Sequence, residues 1–251
     1  MLFGYGADKR IIYGLLIALA VWSLMSMTSQ DWLSILLTLP AVILAISFHE
    51  YAHAKMADKF GDTTPRSQGR LTLNPIKHLD FFGTILMIFA HIGWGKPVQI
   101  NPNNFNSNKS RGFCEAMVAF AGPLMNFVLA IISCIISVAV FEVAEFKFAS
   151  TDLGDLIYGF LYLFIRVNIG LGVFNLIPLP PLDGEKIFRN LLPYKVQDWL
   201  DRNYYTLYYV FMILWIFGLL ETIVAPVISV LVNGVYYIVR LVVIGIVSLF
   251  I

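Results

Sequence analysis

Charge is scarce in this chain. Asp, Glu, Lys and Arg make up 13% of 251 residues, about half the share of a soluble globular domain. With 59% hydrophobic residues, the composition excludes an ordinary soluble enzyme and points to an all-α polytopic membrane protein. There is no long polar segment to form a separate soluble domain, so residues 1–251 read as one integral-membrane domain. There is no basic run, and the net charge is only +1, so nothing argues for nucleic-acid binding. Cysteine is nearly absent. Cys114 and Cys134 form no CxxC pair and lie in or beside apolar segments, which favours inert buried thiols over a disulfide or a metal site. Histidine is scarce too, with four in all.

Two of those four fall close together, in Ser47-Phe-His49-Glu50-Tyr-Ala-His53. Residues four apart share one face of an α-helix, so His49 and His53 can offer imidazole nitrogens to one metal ion. Glu50 stands beside them, where a carboxylate can take a proton from water. Zinc held by N and O ligands brings the pKa of its water to roughly 7. Such a pair also arises by chance on amphipathic helices. Here, however, no charged residue occurs from Leu33 to Phe48, and ionisable groups in such a host are costly and usually functional.

The apolar runs set the architecture. Ile11–Met27 follows Lys9 and Arg10 and lacks a small-x-small cleavage site, so it reads as an uncleaved first helix rather than a signal peptide. A second span is expected over about 32–57, with the histidine motif in its last third. Residues 58–80 are polar and broken by Gly and Pro, and the alternation in Arg70-Leu-Thr-Leu-Asn74 predicts a short strand near one membrane face. The apolar run 81–93 is short for a span and fits a re-entrant or tilted segment, and 94–102 returns to loop and strand character. Further spans are expected over about 113–141, interrupted at Ala121-Gly-Pro123, and over 156–177. An acidic loop over 142–155 separates them. The run from Tyr204 to Ile251 fits two helices meeting near Glu221–Pro226. The sum is about six transmembrane helices with a short re-entrant, β-containing segment near the cytoplasmic face.

Fourteen of the 17 lysines and arginines lie in segments 1–10, 55–80, 94–111 and 184–203. Cytoplasmic loops carry the excess of basic residues, which places both termini and the metal-side loops in the cytoplasm. A full span at 81–93 would change that sidedness, whereas a re-entrant segment would not.

A catalytic zinc needs three protein ligands and an open position. His78 reads as a solvated or hydrogen-bonded loop residue and His91 as an interface residue. Asp183 is the better candidate, because prolines 178, 180 and 181 fix its backbone. A helix-capping role for it remains open on spacing alone.

Three motifs in apolar hosts, His49-Glu50-x-x-His53, Ala121-Gly122-Pro123-x-x-Asn126 and Asn175-x-x-Pro178-x-Pro180-x-Leu182-Asp183-Gly184, resemble those of the site-2 protease family of intramembrane zinc metalloproteases. The stretches Gly69–Pro75 and Gly93–Pro97 look like loops of its short members, which lack PDZ and CBS domains. The resemblance implies one zinc ion on His49, His53 and Asp183, with Glu50 as general base. It also places Asn175 and Asn126 near the reacting carbonyl. It implies hydrolysis of a peptide bond in or near the membrane segment of a transmembrane or signal-peptide-like substrate. The expected location is the lipid bilayer of a prokaryotic cytoplasmic membrane. A membrane metal or proton transporter is the alternative, since His, Glu and Asp also mark ion paths. A catalytically dead scaffold would need loss of Glu50 or a ligand, and all four residues are present. Arg166 invites pairing with Glu115.

Overall fold

Among residues 28–80, 83–84, 94–143 and 147–249, which a computed structural model describes, the protein is helical. The helices are α1 (Ser29–Lys59), α2 (Thr64–Ser67), α3 (Arg111–Val138), α4 (Asp152–Asn175), α5 (Asp183–Arg189), α6 (Tyr194–Arg202), α7 (Tyr204–Ile216) and α8 (Leu219–Val247). Helices α1, α3, α4 and α8 are long and apolar enough to cross a membrane, and α7 is a shorter apolar helix of 13 residues. The expected first span at 11–27 and the re-entrant segment at 81–93 lie outside the described residues, apart from Gly83 and Thr84. The count of six is therefore carried no further than these four.

Helix α3 is the centre of the bundle, packed by α1, α4 and α8. Lipid tails are as apolar as Leu, so helices here associate by close packing, which small residues permit. Ala41 and Ala45 of α1, buried completely, meet Phe164 of α4. Ala130, Cys134 and Val138 of α3 pack with Ile165, Ile169, Val232 and Val239. Both cysteines are buried free thiols, as their apolar surroundings suggested.

Several sequence expectations are corrected. Helix α3 runs unbroken through Pro123. Instead of an acidic loop beginning at 142, a π-helical turn over Ala139–Val143 extends it, and Glu142 there accepts hydrogen bonds from Tyr236 and Arg240 of α8. The last two helices part not at Glu221–Pro226 but at Gly218, whose φ is 70°, and Pro226 lies inside α8. Arg166 stands over the Tyr162 ring, while Glu115 pairs with Arg111.

The strand predicted at Arg70–Asn74 does not form. Its alternation has another cause. The Arg70 side chain turns inward and donates from Nη2 to Lys96 O at 2.5 Å and Pro97 O at 3.0 Å. Asn74 instead caps a 3-10 turn over Pro75–Lys77. His78 is fully buried, with Nε2 2.7 Å from Thr72 O. The reading of His78 as solvated gives way to the hydrogen-bonded one. Lys96 N donates to His78 O, and a single antiparallel bridge joins Leu79 to Gly95. No strand forms among the described residues.

Asp62 fastens the other half of this surface cap. Its carboxylate, fully buried, accepts from Thr64 N, Thr64 Oγ1, Asn104 Nδ2 and Asn101 N. Burial raises the carboxyl, but these hydrogen bonds outweigh it and hold the group below its ordinary value. A depressed folded value means stability that is present above about pH 4 and lost as pH falls through the lowered value. Asp62→Asn should destabilise the protein by about 2 kcal/mol at neutral pH, the scale of one lost bond to a charged acceptor. Thermal melts of both proteins should converge below pH 4, and a gap independent of pH would remove the charge from the account.

Candidate active site

The site lies at the end of α1 that meets the cap, between α1, α3 and the loop from α4 to α5. His49 and His53 are one turn apart and both buried. Their Nε2 atoms are 3.0 Å apart, and each is 3.1 Å from Asp183 Oδ2. The Nδ1 atoms face away. His53 Nδ1 is 2.7 Å from Val118 O, which only accepts, so this nitrogen carries the hydrogen. His49 Nδ1 is 2.6 Å from Asn126 Oδ1. The orientation of that amide is fixed because Asn126 Nδ2 donates to Ala45 O at 3.2 Å and Asn168 Oδ1 at 2.9 Å. Asn168 in turn donates to Phe164 O. In the neutral imidazoles both Nε2 atoms thus carry the lone pair, and both face the carboxylate oxygen.

Three electron pairs converging on one point suit a cation. Zinc holds N and O ligands at about 2.0–2.2 Å, which spaces tetrahedral donors by roughly 3.3–3.5 Å. The observed triangle needs to open by only a few tenths of an ångström. Among the described residues, these three form the one cluster fit to hold a metal ion. Burial raises the Asp183 carboxyl, and a cation held within the triangle lowers it.

Two glycines make the geometry possible. A Cβ on Gly122 would lie 2.3 Å from His53 Nε2 and 2.7 Å from His49 Cε1. The imidazoles thus stack directly on the α3 backbone, and this is the structural content of the Ala121-Gly-Pro123 motif. A Cβ on Gly184 would lie 2.4 Å from both Leu176 O and Ile177 O. That contact folds the proline loop back so that Asp183 reaches the histidines. Leu182, not Asp183, is the N-cap residue of α5, so the capping role is excluded. Leu182 packs with Phe211 and Leu220, which anchors the loop on α7 and α8.

Glu50 Oε2 accepts from Val98 N at 2.8 Å. Two cavities meet at Glu50, Asn175, His49 and Pro181. One, of about 380 Å³, is the more polar and is lined by Glu115, Glu185, Arg189 and Asp201 among others. Burial pushes the Glu185 carboxyl up, partly opposed by Arg189 and Lys186. The other, of about 470 Å³, is apolar and bounded by Phe174, Tyr208, Phe211 and Trp215. Asn175 lies between them and donates to Leu171 O at 2.9 Å. Asn126 lies elsewhere: it is fully buried behind His49 and lines neither cavity. His91 is outside the described residues.

Residues 37–219, which contain this whole constellation, match Peptidase family M50. The chain belongs to that family, the site-2 proteases. Similar proteins carry consistent names. "Putative zinc metalloprotease YwhC" of Bacillus subtilis (strain 168) is 38% identical over 75% of this chain and 84% of its own length. "Putative zinc metalloprotease Rip2" of Mycolicibacterium smegmatis is 30% identical over 59% of this chain and 54% of its own. "Putative zinc metalloprotease MJ0611" of Methanocaldococcus jannaschii is 28% identical over 73% and 85%. No solved structure matches. This M50 peptidase is an intramembrane zinc metalloprotease, and the transporter alternative gives way.

Gly122 supplies the sharpest test of the packing. Gly122→Ala puts a methyl where the imidazoles stand and should lower zinc affinity about tenfold or more, as displaced ligands do. Chelator competition on purified protein measures it. Native affinity would mean that α3 yields without disturbing the histidines.

Proposed function

We propose that residues 1–251 act as one unit that cleaves transmembrane or signal-peptide-like segments of prokaryotic cytoplasmic-membrane proteins, at a site near the cytoplasmic face. The observation that carries this reading is Glu50 at the junction of a polar and an apolar cavity, beside the His49–His53–Asp183 triangle. The distribution of Lys and Arg supports the cytoplasmic side.

In this reading His49, His53 and Asp183 hold zinc, which when bound polarises the scissile carbonyl and lowers the pKa of water. The remaining steps belong to the chain. The polar cavity admits water, and the apolar one receives the side chains of the unwound substrate. A helix conceals its carbonyls in i→i−4 bonds, so the substrate is extended locally before attack. Glu50 Oε2 is engaged by Val98 N–H, which leaves Oε1 to take the proton of the attacking water and pass it to the leaving amine. The Asn175 amide has a second N–H beyond the one bonded to Leu171 O, and that N–H stabilises the developing oxyanion. Asn126 orients His49 from behind and does not touch substrate.

Glu50→Gln should keep one equivalent of zinc and lose cleavage of a single-span substrate by several orders of magnitude, because an amide takes up no proton. Co-expression with candidate substrates, followed by assay of the purified pair, tests this. Retained turnover would move the base elsewhere. Asn175→Ala should lower kcat by roughly 10²–10³, the usual loss for one oxyanion donor, with zinc content and melting temperature near native. If turnover falls only as far as the folded fraction falls, Asn175 serves the helix backbone alone.

A further inference from the structure

Arg70 is a buried cation in the surface cap that neither zinc binding nor the oxyanion uses. Among the described residues its guanidinium pairs with no carboxylate. It donates instead to two successive carbonyls, Lys96 O and Pro97 O. The second belongs to the peptide unit Pro97–Val98, whose N–H donates to Glu50 Oε2 at 2.8 Å. A trans peptide is planar, with its C=O and N–H pointing in opposite directions, and this bond is not among the cis bonds of the described residues. One rigid plate thus has a cation on its oxygen and the Glu50 carboxylate on its hydrogen. Each charge aligns with the peptide dipole and strengthens the bond on the far side, since hydrogen bonds in series polarise one another.

The plate is held from its other end as well. Lys96 N donates to His78 O at 2.8 Å, and His78 Nε2 is 2.7 Å from Thr72 O. Pro97 has no N–H to offer, so the first free donor after this clamp is that of Val98. Glu50 carries a flexible side chain that lines both cavities. The clamp holds one of its oxygens and leaves the other outside that bond.

We propose that Arg70 is a positioning residue for the general base, acting on Glu50 through the Pro97–Val98 peptide. The inference rests on Glu50 as the base, and the experiment separates the two. Arg70→Met should retain one equivalent of zinc, since the hydrogen bonds of Arg70 go to Lys96 O and Pro97 O and not to a ligand, and should lower kcat about 10²-fold. That is the scale on which a base misplaced by about an ångström fails. KM for a single-span substrate should change little. Arg70→Lys, whose ammonium can still face one carbonyl, should fall between native and Met. A native kcat in Arg70→Met, or a defect confined to KM, would overturn the proposal, the latter by making the 94–98 loop a substrate contact only. If Arg70→Met does not accumulate, Arg70→Lys decides alone: a lowered kcat at native KM supports the relay and a native kcat overturns it.

A second measurement does not depend on Glu50 being the base. Melting temperatures of the metal-free proteins close a double-mutant cycle between Arg70→Met and Glu50→Ala. The relay requires the Arg70→Met shift to be smaller in the Glu50→Ala background, although the two side chains meet only through a peptide. Equal shifts would overturn it even if Glu50→Gln abolishes cleavage. Coupled shifts in a protein whose Glu50→Gln variant still cleaves would retain the relay and discard only the base assignment.

Discussion

The structure depends on a rule of low-polarity surroundings: every polar group buried there needs a partner. At the active site the rule acts on one side of each imidazole. Val118 O takes the Nδ1 hydrogen of His53, and Asn126 Oδ1 takes that of His49. What remains on the other side of each ring is a lone pair that no protein donor satisfies. The site creates its affinity for a cation by fully satisfying everything except the atoms that bind it. Asn126 and Asn168 extend the same logic outward, ending at the carbonyls of Ala45 and Phe164, which tie α1, α3 and α4 to one arrangement.

The same economy governs the cap. Asp62, Arg70 and His78 are all buried, yet they sit in a stretch that reads as polar loop. Asp62 and Arg70 spend their hydrogen bonds on segment 94–104 or on their own turn, and His78 bonds through Nε2 to Thr72 O. Two irregular segments thereby become a single cap beside the site, with no strand pairing among the described residues beyond the one Leu79–Gly95 bridge. Rigidity here comes from side chain to backbone bonds, which leave no ladder in the sequence.

That difference explains what was legible beforehand. The meeting of His49, His53 and Asp183 was readable because helix spacing and proline rigidity are local properties. Four long spans were readable because bilayer thickness dictates their length. The strand at 70–74 misled because its alternation recorded one inward Arg, not a sheet face. The junction before α8 was misplaced because Pro226 is a louder signal than Gly218, and only the backbone torsion shows which residue turns the chain. Glu142 looked like loop because its partner Arg240 lies 98 residues away. Gly122 was visible as a motif but not as a reason. Its purpose is a distance to two rings on another helix, and no single-chain pattern encodes that.

The depth of the site has a thermodynamic result for the products. His53 lies six residues before the end of α1, roughly 9 Å along the helix axis. In the proposed reaction, a spanning segment cut at that level would be divided unequally. The shorter piece retains too few apolar residues to stay dissolved in hydrocarbon, at about 0.8 kcal/mol for each buried methylene, and passes into water. The longer piece keeps most of its apolar length and diffuses away laterally. Unequal partitioning would then draw the two new ends apart, adding a separation to a hydrolysis that water already favours.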